Sequence, residues 1–82
     1  MATTVFTLRN WFDEGVAKGA THMIVACDTF DWDDFPVYVM PDQQVREIAA
    51  KYDGPNMTKL MEVYDLRLDR EMQMSEFRAF HY

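Results

Sequence analysis

Eighty-two residues, 49% apolar and 15% aromatic, suffice for one domain spanning 1–82 and leave no room for a linker and a second core. A formal charge of −6, fourteen acids against eight bases, disfavours direct binding to a nucleic-acid backbone. The longest apolar run is five residues, too short for a membrane-spanning helix, and residues 1–20 lack the pattern of a signal peptide. The single cysteine, Cys27, has no intramolecular partner for a disulfide, which fits a cytoplasmic setting.

In chain order, Thr7 reads as the cap of a helix over Leu8–Lys18. Leu8, Trp11, Phe12, Gly15, Val16 and Gly19 recur at helical spacing and form its expected buried stripe. Gly15 is costly inside a helix, so its use there predicts a close approach to the sheet, and Gly19 is the expected left-handed terminator. Thr21–Thr29 follows as a strand, its Met23–Cys27 run apolar enough to be covered on both faces. A second strand is expected from Pro36 or Val37 to Met40. Proline donates no ladder hydrogen bond, so that strand belongs at a sheet edge.

Pro41-Asp42 turns the chain, with Asp42 expected to cap a helix over Gln43–Tyr52 whose buried face is Val45, Ile48, Ala49 and Tyr52. Asp53-Gly54-Pro55-Asn56 stops it. The third strand is Lys59–Leu66, with Met61 and Val63 on one face and Leu60, Glu62, Tyr64 and Leu66 on the other. A last helix, Arg70–Phe80, is expected with Asp69 as its cap and Met74, Phe77 and Phe80 as its apolar seam.

These elements give an α+β fold in the order αββαβα. A small, mainly antiparallel three-stranded sheet has its most apolar strand in the middle, spatial order 2-1-3, and is covered by two or three helices. The competing arrangement sets the third strand parallel to the second through a right-handed crossover. Pro36 and the shortness of the second strand count against it.

The chemistry is concentrated in the hairpin connection. Residues 1–40 carry six acids against two bases, and four of those acids, Asp28, Asp31, Asp33 and Asp34, fall within seven residues around Phe30, Trp32 and Phe35. An aromatic anchor ringed by negative charge is the composition expected where a basic protein surface docks. The competing readings are a solvated acidic turn and a divalent-cation or small-molecule module, possibly at a subunit interface, with Asp28, Asp31 and Asp33 as oxygen donors. A calcium loop starting at Asp31 would need a glycine where Pro36 stands, so no metal site is assigned.

Other constellations point nowhere specific. Fourteen acids guarantee some pair at a glycosidase spacing, so that spacing discriminates nothing. His22 and Cys27 lie five residues apart on one strand, on opposite faces and about 16 Å apart along it. No glycine-rich phosphate loop is present. No catalytic residue or cofactor is assigned. Met72, Met74, Phe77 and Phe80 make an apolar surface near the C-terminus that suits a second interface, including one between copies of the chain. The reading is a non-catalytic adaptor, inhibitor or regulatory subunit that binds a basic protein surface, with no direct nucleic-acid or membrane contact.

Overall fold

A computed structural model describes residues 4–76 and 78–82. The elements are α1 (Val5–Ala17), β1 (His22–Asp28), β2 (Asp33–Val39), α2 (Val45–Lys51), β3 (Thr58–Asp65) and α3 (Arg70–Met74), with a single 3-10 turn at Pro55–Met57 before β3. The sheet runs β2-β1-β3 with both pairings antiparallel, which is the expected order and topology. Among the described residues, no helix is long and apolar enough to cross a membrane.

The central strand dictates the layering. Met23, Ile24, Val25 and Ala26 are at most 1% exposed, and burying side chains of this size stabilises by roughly 1.5–3 kcal/mol for the larger ones. Met23 and Val25 pack with Phe12 of α1, Ala20, Tyr64, Leu66 and Ala79 on one face. Ile24 packs with Val39, Ala49, Leu60 and Val63 on the other, where Val45 and Ile48 of α2 close the layer. Covered on both faces, β1 has no polar positions to alternate with, hence its continuous apolar run.

Local chemistry moves several expected boundaries. α1 starts earlier because Thr4, not Thr7, is the cap, its hydroxyl accepting the Thr7 N–H at 3.3 Å. Val16 turns outward, so the buried stripe is narrower than its spacing suggested. Gly19, at φ +80°, ends the helix as expected. α2 is capped by Gln44 with no side-chain bond rather than by Asp42. The preceding turn is held instead by the Gln43 side chain, which accepts the Met40 N–H at 2.9 Å. β2 begins at Asp33, and Pro36 sits opposite Val25 on the outer strand, where a missing N–H is tolerated.

β3 carries the largest correction. Val25 pairs with Glu62 but Ala26 pairs with Leu60, so Met61 is an extra residue in a β-bulge. The bulge shifts the alternation by one. Leu60 joins Val63 on the α2 face, and Met61 joins Tyr64 and Leu66 on the α1 face, instead of Met61 sharing a face with Val63.

The outer edge of β3 is covered by the C-terminal part of the chain. Asp69 caps α3 by accepting the Met72 N–H, as expected, but the helix ends at Met74 and does not reach Phe80. The fully buried Gln73 amide accepts the Asp65 N–H at 2.8 Å and donates to the Asp65 carbonyl at 2.9 Å. One rung further, the Val63 N–H donates to the Ala79 carbonyl and the His81 N–H donates to the Val63 carbonyl, with Phe80 bridging parallel to Val63. Arg9–Glu71 and Arg70–Asp13 pairs fasten α3 to α1.

Candidate functional site

The β1–β2 hairpin closes over four residues, 29–32, so the acidic aromatic stretch is divided between loop and strands. Asp28 is the last residue of β1. Its carboxylate accepts the Phe30 N–H at 2.8 Å, and its carbonyl accepts the Trp32 N–H at 2.6 Å. This side-chain turn, a habit of aspartate, sends Phe30 outward to 74% exposure and Trp32 to 62%. Asp31 is exposed in the loop and Asp33 is exposed as the first residue of β2.

Asp34 is half-buried and Phe35 turns inward, its ring meeting Tyr52 edge-on at 6.0 Å. Phe35 therefore anchors the strand, while Phe30 and Trp32 present the apolar surface.

Two costs are concentrated at this end of the sheet. The register sets Asp28 directly opposite Asp33, and like charges facing across an antiparallel pair are destabilising. Trp32 stands at φ +59°, with Asn56 at +55° and Met57 at +60°. These are the only non-glycine positive-φ residues among those described, and an L-residue there costs roughly 1–2 kcal/mol.

Asn56 and Met57 belong to the turn entering β3, and Thr29 ties that turn to the hairpin. The Thr29 N–H and hydroxyl both donate to the Met57 carbonyl, at 2.8 and 2.9 Å. Met57 is itself more than half exposed. It was not among the site residues expected from the sequence, where nothing about a methionine after Asn56 announces a left-handed backbone.

Among the described residues, no three His, Cys, Asp or Glu side chains converge to hold a metal ion. Cys27 is buried beside this end, and its thiol is pushed up by burial and by the neighbouring Asp34 carboxylate, leaving it unreactive.

The second surface expected from the sequence is described at three of its four residues. Met72 is exposed, Met74 is half-buried against the α1-side core, Phe80 lies partly exposed in the β3 bridge, and Phe77 falls outside the described residues.

A separate polar cluster lies at the opposite end of β1. His22 is buried, with Nδ1 at 2.9 Å from the Thr21 hydroxyl and Nε2 without a hydrogen-bond partner, 3.8 Å from Asp65 Oδ2. Asp65 is clamped by Arg67 through two guanidinium bonds and one backbone N–H bond, each 2.9 Å, that hold its carboxyl below the usual range. Thr, His and Asp together invite a nucleophile reading, but burial of the imidazole leaves no approach for a substrate.

Comparison with known proteins finds no matching family model, no matching curated protein and no matching solved structure.

Proposed function

We propose that the chain is a protein-interaction module that docks its hairpin tip on a basic protein surface, acting as an adaptor, inhibitor or regulatory subunit. The observation that carries this reading is an exposed tryptophan held at positive φ on a loop whose flanking strand residues are two facing aspartates. Backbone strain at one solvent-exposed end is a local cost that a fold keeps where it serves a function. A cationic partner meets the acids of the tip on binding, while Phe30, Trp32 and Met57 supply apolar area for its centre. The acids set the encounter rate and choice of partner more than the final affinity.

The test is site-specific photo-crosslinking in the source cells, with the reactive group at position 30 and, as control, at the exposed position 47 of α2. The expected result is an adduct specific to position 30, involving a cationic surface of the captured protein. Asp31→Asn with Asp33→Asn should weaken its formation about tenfold. Equal adducts from positions 30 and 47, or an adduct indifferent to neutralisation, would overturn the proposal.

A further inference from the structure

The outer edge of β3 is covered by substitutes for a neighbouring strand. At Asp65 the substitute is the Gln73 side-chain amide, which occupies the place of a peptide group. At Val63 it is the tail, joined by two backbone bonds of 2.8 and 2.9 Å. Ala79 has no exposed surface and is seated among the residues of the α1-side core, whereas Phe80 and Tyr82 are about two-fifths exposed.

The Glu62 carboxyl is half-buried, receives the Tyr64 hydroxyl at 2.8 Å, and feels both the Ala79 N–H and the Arg78 charge. His81 Nε2 lies 3.0 Å from Glu76, and the Arg46 guanidinium stacks on Tyr82 at 4.5 Å. The tail is thus an aromatic-flanked segment following Arg78, with one small residue in a closed seat, lying along a strand edge that carries Glu62.

The geometry points to the β3 edge as a strand-addition site for an extended peptide of a partner protein, aromatic with a small residue at the seat, which the chain's own Ala79–Tyr82 occupies in cis. Backbone bonds to an exposed strand supply affinity in such recognition, and the side-chain seats supply selectivity. The Gln73 rung remains in place when the tail leaves, so exchange opens one rung of the edge. The cis segment acts at an effective concentration of order mM, so a free peptide competes only near that level. This site is independent of the hairpin tip, and the failure of either leaves the other standing.

The probe is the acetylated pentapeptide Arg-Ala-Phe-His-Tyr, added to the full chain carrying Ala79→Lys, with the Val63 amide resonance as readout. In that variant the Val63 amide should lose protection while the β1 amides keep theirs. The peptide should restore it saturably, and a peptide with lysine in place of alanine should not. A folded variant that ignores the peptide overturns the inference.

Hydrogen exchange on the unmodified chain decides the matter if the variant does not fold. Val63 and His81 should exchange together, at least ~100-fold faster than Ile24, because tail release is a local opening. Exchange of all three at one global rate overturns it. A dimer formed by swapping tails, seen by sedimentation without peptide, assigns the edge to a second copy and overturns the partner assignment.

Discussion

Gly15 of α1 lies so close to Leu66 that a Cβ built on it would stand 2.7 Å from Leu66 Cδ1, and 2.9 Å from Tyr38 Cε1 on the other side. Leu66 can rotate aside. Tyr38 cannot do so easily, because its hydroxyl donates to the Trp11 carbonyl at 2.7 Å and Lys18 covers its ring at 4.7 Å. Gly15→Ala gains about 1 kcal/mol of helix propensity and loses about 1–3 kcal/mol to overpacking. The expected net loss is about 1 kcal/mol, read from the urea midpoint. Tyr38→Phe, which unties the ring, should shrink the loss caused by Gly15→Ala; an unchanged loss would place the clash on Leu66 instead.

Trp32 separates stability from function at the hairpin tip. An asparagine tolerates φ +59° better than an aromatic residue does. Trp32→Asn is therefore expected to leave stability unchanged or raise it by at most about 1 kcal/mol. In a Trp11→Phe background, Trp32 emission should be red-shifted and quenched by iodide. A drop in stability of more than about 1 kcal/mol for Trp32→Asn would mean that the ring is a structural support and not a presented anchor.

The sequence was legible wherever one residue's covalent properties force the outcome. Pro36 placed β2 at the edge, the apolar run Met23–Cys27 placed β1 in the middle, and Gly15 announced the helix-to-sheet contact. It was not legible where the outcome depends on which residues meet. The extra residue at Met61 shows only in the pairing of Val25 with Glu62 and Ala26 with Leu60, and it inverts the faces that strict alternation assigns. The end of α3 was obscured because Phe80 serves a strand edge, while the Met74, Phe77 and Phe80 steps of three suit a helix equally well. At the tip, the acids and aromatics were visible, but the opposition of Asp28 to Asp33 and the backbone of Met57 required the register.

Gln73 is a polar residue with no exposure, and its side-chain amide is bonded to the chain around it. Beyond its two bonds to Asp65, it donates to the Asp69 carbonyl at 3.1 Å. Gln73→Met keeps the length and removes every one of these bonds. Orphaning the buried Asp65 N–H and carbonyl should cost about 2–4 kcal/mol. Denaturation should show that loss as a shift in midpoint, and the Asp65 amide should lose exchange protection. A loss below about 1 kcal/mol would show that water reaches this rung and that the Gln73 amide is replaceable.

Two groups whose shifts act on the same side, His22 and Asp65, should contribute to the pH dependence of folding. Burial holds the His22 imidazole below its ordinary value of 6.5, outweighing the opposing pull of Asp65, and the Arg67 charge adds to the depression. The unfolded chain therefore binds a proton at His22 before the folded chain does, so stability falls as pH drops below 6.5 and levels off once the folded imidazole is also charged. Asp65 is depressed from 3.8, first by its hydrogen bond to Arg67, so its contribution is present above 3.8 and is lost as pH falls through the folded value. The joint contribution of His22 and Asp65 is flat from about pH 8 to about 6.5 and then declines in two stages, which Glu62, held above its ordinary value by burial, partly offsets in the acid range. His22→Asn should remove the first stage while leaving the second. Arg67→Ala should weaken the second, because Asp65 then titrates nearer its ordinary value. If His22→Asn leaves the upper slope in place, His22 is not the group that sets it. A slope of opposite sign there would mean that the folded imidazole binds its proton more tightly than the unfolded one, with the 3.8 Å gap to Asp65 closing into a true ion pair.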